Sequence, residues 1–280
     1  MNNAEQQFPA PIIRVAKQTD SVKIHTFICP ERFFATATHV IEGLKESIVI
    51  DGQLVVWYAK AFRDYIDRLG KPIGRVYLSH DHPDHFFGLS AAFGDAPMYA
   101  LPETIRSLAE NGEAIRKAQY ERFGSGVPES VVIPAYPVTP GEEIVDGIRL
   151  RFEHVADAEV KHQLVIKLPD LGVAVLQDLL YSGGHVYIES LDLDNWIDYL
   201  KDLIASDYEL FLPGHGEPTD KNELMANISY MEHAIRFAKQ HASDMAGYKS
   251  ALLAAFPARI APQILDIGAS RLFGGSAGTH

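Results

Sequence analysis

The sequence predicts an α/β protein in which two groups of β-strands lie between helical layers. Three observations point there. Short apolar runs rich in β-branched and aromatic residues open the chain and return in its second half. Each group of runs is joined to segments whose apolar residues recur at helical spacing. No repeat, low-complexity tract or long linker divides the 280 residues, so a single domain over 1–280 is the simplest account.

The elements follow in order. "VKIHTFI", "FFATATHVIEG" and "SIVIDG" each end in a turn former and read as strands. "WYAKAFRDYIDRLGKP" carries Trp57, Ala61, Tyr65, Ile66 and Leu69 on one face and then glycine and proline, which predicts an amphipathic helix with a stop. "GRVYLS" is a short buried strand that enters a histidine-rich loop, and "HFFGLSAAF" leaves that loop as a helix. Residues 102–124 are helical and charged. A strand pair follows around "EEIVDGIRLRFEH", with Asp146-Gly147 as its hairpin turn. "QLVIKLP" and "GVAVLQD" are two more strands, separated by a tight turn at Asp170–Gly172. The rest alternates: helix "DNWIDYLKDLIA", strand "YELFLPG", a long helix over 221–240 and a last helix near "YKSALLAAF".

Composition narrows the function. At 47% hydrophobic and 10% aromatic residues, the chain has material for a substantial core. A formal charge of -12 without any basic block argues against nucleic acid or anionic membrane as partner and favours a small-molecule substrate. The one cysteine, Cys29, has no internal disulfide partner, which fits a reducing compartment. "MNNAEQQFPAPIIRV" lacks a basic n-region with a long apolar run, and no later segment approaches the roughly 18 apolar residues of a membrane span. A cytoplasmic protein is expected.

The loop "SHDHPDHFFG" carries the chemistry. His80-x-His82-x-Asp84-His85 crowds, next to carboxylates, imidazoles that repel one another when protonated and offer lone pairs when neutral. On a loop leaving a strand, alternate side chains turn toward one point while the next two address a second point, the geometry of a two-metal site. A solvated polar loop is the plain alternative. It is disfavoured because an apolar strand feeds the loop and Phe86-Phe87 follow at once.

With this H-x-H-x-D-H loop the chain resembles the metallo-β-lactamase superfamily of hydrolases, from "SIVIDG" through the motif to "LFLPGHGEP". The resemblance implies a four-layer αββα sandwich with two divalent metal ions at the rim between the sheets, Zn2+ first, with Mn2+ or Fe2+ as alternatives. It implies a bridging carboxylate at the end of "GVAVLQD", Asp178, and a late histidine in a glycine-bounded turn, His215 of "LPGHGEP". The usual Gly-His-[Ser/Thr] turn is missing, and the chain reads "EHVADAEVKHQLVIKLP". Counting back from the strand puts Glu159 at that position, as in relatives resembling alkylsulfatases, while His154 and His162 are competitors if the loop is offset. A glutamate there adds charge and a harder donor, shifting preference modestly toward manganese or iron.

A water shared by two such ions ionises near neutral pH, since coordination lowers its pKa from about 15.7 to about 7, and the hydroxide attacks an electrophilic centre. Asp84 is expected both to ligate and to orient it. Tyr181 matches a tyrosine that N-acyl homoserine lactonases use to hydrogen-bond the substrate carbonyl; its alternative is a half-buried aromatic. His185 either lines the pocket as a proton donor to the leaving group or is a surface histidine. Asp51 supports the metal loop by accepting an imidazole N–H. Cys29 lies on an early strand far from the motif in sequence and there is no G-x-S-x-G elbow, so covalent catalysis is the weaker account. His25, His39, His233 and His241 sit on periodic faces and receive no role.

The expected function is a dinuclear, lactonase- or esterase-like metallohydrolase acting on a lactone, ester or related acyl small molecule. Sulfate- or phosphate-ester cleavage is the alternative that Glu159 favours and the lack of an Arg/Lys cluster near the motif disfavours. A non-hydrolytic iron oxidoreductase on the same scaffold is a third. β-Lactam hydrolysis is disfavoured because such enzymes are exported and no export signal is read here. Residues 102–140, with Tyr120, Phe123 and Tyr136, are expected to form a substrate-facing insertion. The helical part over 221–280 either packs the outer layer or pairs subunits as a homodimer, and the "FGGSAGTH" end is expected to be loose.

Overall fold

A computed structural model describes residues 8–274. The first sheet has seven strands in sequence order: β1 (Ile12–Gln18), β2 (Lys23–Ile28), β3 (Ala37–Glu42), β4 (Ser47–Ile50), β5 (Ile73–Tyr77), β6 (Met98–Ala100) and β7 (Tyr136–Pro137). It is antiparallel up to β4 and parallel from β4 onward. The parallel steps need crossovers, which α1 (Val56–Asp67), α2 (Pro83–Ala92) and α3 (Pro102–Phe123) supply. The second sheet runs β12-β11-β10-β9-β8, from β8 (Gly141–Val145), β9 (Ile148–Ala156), β10 (His162–Leu168), β11 (Val173–Tyr181) and β12 (Leu210–His215), with only β11 and β12 parallel. The crossover between those two is α4 (Asp194–Ala205), and α5 (Lys221–Gln240), α6 (Met245–Ala255) and α7 (Pro262–Gly274) follow.

Alternation along the strands builds two apolar layers. Ile48 and Ile50 of β4 and Val173 and Val175 of β11 meet between the sheets, with Ile41, Tyr77, Phe152, Ile166 and Leu212. Their neighbours Val49, Ala174 and Leu176 face the other way, into a layer shared with the helices. Both faces of each sheet are therefore covered, and the molecule is an αββα sandwich.

Several elements differ from the sequence reading: the short β6 and β7 were not expected, and β11 runs past Asp178, read as its end, to Tyr181. β1 was not expected: it is an edge strand whose Ile12, Ile13 and Val15 are exposed, so it lacks the half-buried alternation by which strands are recognised. "FFATATHVIEG" forms a strand only from Ala37, because Phe34 and Ala35 take left-handed backbone angles (φ 67° and 52°) after a short 3-10 turn. The helix near "YKSALLAAF" is not the last, since α7 follows it and packs on α6. Of the "FGGSAGTH" end expected to be loose, Phe273 and Gly274 belong to α7, and residues 275–280, like the first seven, lie outside the described residues.

Candidate metal centre

Both sheets deliver their functional side chains to one edge. At the end of β4 the chain turns through Asp51 (φ 60°), whose buried carboxylate accepts hydrogen bonds from Ser79 N (2.7 Å), Ser79 Oγ (2.6 Å), His85 Nδ1 (2.8 Å) and Gln177 Nε2. Since the Ser79 hydroxyl proton goes to Asp51, its oxygen accepts from His80 Nδ1 at 2.8 Å. The loop beyond β5 starts α2 with Pro83 in its first turn, where a missing N–H costs nothing, and Asp84 beside it, where the helix dipole favours an anion.

The second sheet supplies Glu159, from the short β9–β10 connection, Asp178 within β11 and His215 at the end of β12. The β12 turn requires its glycines. A Cβ on Gly214 would overlap the Asp178 carboxylate, and Gly216, at φ 95°, lies against the Ser182 carbonyl. His215 Nδ1 donates to the Phe34 carbonyl (2.9 Å), and because a carbonyl can only accept, Nε2 keeps its lone pair for the site.

The donors form two groups. His80, His82, Glu159 and Asp178 offer atoms within 4.8 Å of one another, and so do Asp84, His85 and His215. Asp178 reaches both: its Oδ2 is 3.6 Å from His80 Nε2, 3.7 Å from His82 Nδ1 and 3.3 Å from His215 Nε2, and its Oδ1 is 3.0 Å from His85 Nε2. Of the three residues weighed for the remaining position, Glu159 enters the cluster, 3.7 Å from His82 Nδ1. His154 and His162 instead face each other at 3.0 Å on the neighbouring strands β9 and β10, outside both groups. Asp51, His80 and His85 are a third close set, but the four hydrogen bonds already made by Asp51 assign it to holding the loop.

The residues fit divalent cations. His80 Nε2, His85 Nε2, Glu159 Oε2 and Asp178 Oδ1 are buried without a well-aligned hydrogen bond, a costly arrangement unless another group satisfies them. That His85 Nε2 and Asp178 Oδ1 lie 3.0 Å apart yet misaligned suits two atoms facing a shared third partner better than each other. Electrostatics agrees. Burial opposes charge on His85, yet Asp178 and Asp84 hold it protonated well above the usual imidazole range; in the same way Glu159 and Asp178 lift His82 to about 10. Burial also opposes charge on Asp178, which His85, His215 and His80 hold well below the carboxylate range, whereas burial drives the Glu159 carboxyl well above it. Such opposed shifts mark donors whose charges balance only when additional positive charge is shared among them.

Beside the donors is a cavity of about 140 Å³, walled by Phe34, Leu54, Phe123, Ile264 and Ile267 and reached by His82, Asp84, Asp178, Tyr181 and His215. The Tyr181 hydroxyl donates toward Asp178 Oδ2 (3.2 Å) and Glu159 Oε1 (3.4 Å), and its ring stacks on His215 with centroids 4.7 Å apart. Of the aromatic residues expected to face substrate, Phe123 lines the cavity, while Tyr120 is exposed and Tyr136 stacks on Tyr99 at the sheet edge.

The sequence model of the Metallo-beta-lactamase superfamily matches residues 32–215. This chain belongs to the metallo-beta-lactamase superfamily. The fold is shared with a metallo-beta-lactamase from Pontibacter korlensis (17% identity, TM-score 0.58, covering 79% of this chain and 99% of that one). One from Erythrobacter litoralis is similar at 16% identity and TM-score 0.57, covering 79% and 96%. FIM-1 from Pseudomonas aeruginosa, in a mono-zinc form, is similar at 15% and 0.59, covering 81% and 98%. No curated protein matches the sequence.

In this superfamily member His185 sits apart from the cavity. It is buried with Nδ1 2.9 Å from the Tyr230 hydroxyl and belongs to neither donor group, and burial beside Arg259 lowers its pKa to about 4, so it is neutral at physiological pH. Three contributors were not anticipated. Thr36 Oγ1 donates to Asp84 Oδ2 (3.0 Å), Gln177 holds Asp51, and Asn227 of α5 brackets Tyr181, accepting from its N–H (3.1 Å) and donating to its carbonyl (2.9 Å). No helix among the described residues is long and apolar enough to cross a membrane.

Proposed function

We propose that this superfamily member is a metal-dependent hydrolase of lactones, esters or related acyl small molecules. The observation that carries the reading is a hydroxyl donor, Tyr181, lining an apolar cavity directly beside the donor cluster. His80, His82, Glu159 and Asp178 would hold one cation, and Asp84, His85 and His215, sharing Asp178, the second. When bound, such cations supply water ionised at neutral pH and a Lewis acid for a substrate oxygen. Three carboxylates in the set give the site a hard character compatible with zinc and also with manganese or iron.

The chain's own groups do the rest. Tyr181 keeps its proton, since burial and the nearby charges of Asp178 and Glu159 push its pKa well above 10, so it acts as a donor. Turned from Asp178 to a substrate carbonyl oxygen, it stabilises the negative charge that develops there. Asp84, fixed by Thr36, presents its other oxygen as hydrogen-bond acceptor for the attacking water. Phe34, Leu54, Ile264 and Ile267 exclude solvent from the acyl group.

The test is metal analysis of the purified protein together with a panel of lactones, aryl esters and alkyl sulfates. Turnover of a lactone or ester that disappears on chelation and returns with metal is the expected result. Metal-loaded protein inert toward every acyl compound would overturn it. A second reading, sulfate-ester cleavage, is favoured by Glu159 in the donor cluster and would appear as preferential turnover of the alkyl sulfates.

A further inference from the structure

The C-terminal turn of α3 contributes Gln119, Arg122 and Phe123 to the cavity wall. The Arg122 guanidinium lies over two rings, 5.1 Å from the Phe123 centroid and 5.8 Å from that of Phe34. Its partners among the described residues are these rings and no carboxylate. Other arginines are engaged by acids, as in Arg14–Glu217, Arg75–Glu143 and Arg151–Glu142, and Arg68 and Arg106 do not line the cavity. Phe34 also fixes how close this cation lies to the chemistry. Its carbonyl accepts from His215 Nδ1 while its ring carries Arg122, so a single residue separates the guanidinium from a candidate metal ligand.

Resting on the hydrolase reading above, we propose that Arg122 is an anion subsite and that the substrate is an acyl compound with a carboxylate remote from its scissile carbonyl. A guanidinium is a rigid fork that matches a carboxylate bidentately, and stacking on two rings holds it in place before the anion arrives. The cavity, close in volume to one that accepts benzene, has room for roughly six non-hydrogen atoms. Arg271 lines the same cavity and is engaged within the protein, so the assignment rests on Arg122 alone.

Calorimetric titration of the metal-loaded protein with glutarate, adipate and pimelate, against pentanoate, hexanoate and heptanoate, tests this without turnover. Both members of each pair offer one carboxylate to the cations, and only the diacid offers a second. At the matching length the diacid binds about tenfold tighter, Arg122→Lys keeps part of that advantage, and Arg122→Gln reduces it to the statistical factor of about two. A diacid advantage that is absent, or unchanged in Arg122→Gln protein of native circular dichroism, overturns the proposal. A parallel comparison of para-nitrophenyl hexanoate with the para-nitrophenyl monoester of adipate separates the two readings. Equal turnover of both esters sinks the anion subsite and spares the hydrolase, whereas no turnover with an intact diacid advantage does the reverse.

Discussion

Tyr181 is held by more contacts than its role as a donor alone would need. Its ring lies on His215, its hydroxyl reaches two carboxylates, and Asn227 grips its backbone from both sides. Tyr181→Phe is therefore expected to keep its place and its metal content while kcat/KM falls about a hundredfold, the scale of one lost donor to a developing oxyanion. An equal rate in the phenylalanine variant would remove Tyr181 from the chemistry. His82 is different, since it offers a donor atom to the cluster itself. His82→Ala should lose tight metal binding and turnover together, and activity retained in metal-free protein would refute that role. His39 is a residue of stability. Its Nε2 donates to the Pro213 carbonyl (2.9 Å), its Nδ1 accepts from Thr26 Oγ1 (3.0 Å), and burial lowers its pKa to about 4. The unfolded imidazole takes its proton near pH 6.5 and the folded one only near 4, so the native state loses stability as pH falls across that window, about 3 kcal/mol by its lower end. Urea midpoints measured from pH 7 to 5 should drop more steeply for the parent than for His39→Gln, and parallel slopes would contradict this.

At the scale of elements, neighbouring positions of α7 serve different ends. Ile264 and Ile267 reach the cavity, and next to them Gly268, one turn after Ile264, rests on Ile188, where an added Cβ would lie 2.8 Å from the Ile188 oxygen and 2.9 Å from its nitrogen. Gly268→Ala should cost about 2 kcal/mol as an overpacked contact, read as a lower denaturation midpoint, and a neutral effect would mean that α7 shifts freely. This helix also marks where sequence reading stops. Its glycines and serine depress intrinsic helicity, and what holds it is the packing of Ile264, Leu265, Gly268 and Ala269, two of them too small to stand out as an apolar pattern. α1, α4 and α5 are legible because their buried residues recur at helical spacing. Likewise the histidine loop, Asp178 and His215 carry a recognisable spacing, and counting from the strand at Leu164 was enough to bring Glu159 forward. Thr36, Gln177 and Asn227 carried no such signal. They act across separations of 48, 126 and 46 residues, through contacts that exist only once both sheets are packed.

Across the whole molecule the candidate centre is a junction. His80, His82, Asp84 and His85 leave the first sheet, and Glu159, Asp178 and His215 come from the second. Cations that bind only the folded form stabilise it by mass action, about 4 kcal/mol when their free concentration is a thousand times Kd. Chelation should accordingly lower the calorimetric melting temperature, and re-addition of metal should restore it; a melting temperature indifferent to chelator would argue against ligands drawn from both sheets. Thr36 and His215 pair as a single antiparallel bridge at the same edge, where Gly216 also donates to the Ala35 carbonyl (2.9 Å). That stitch helps tie the lips of the sandwich at the spot where its charges are densest. Ion starvation would then be felt first as a gaping of this seam, with amide exchange quickening at residues 35–36 and 215–216 long before the distant hairpin at Asp146 takes any notice.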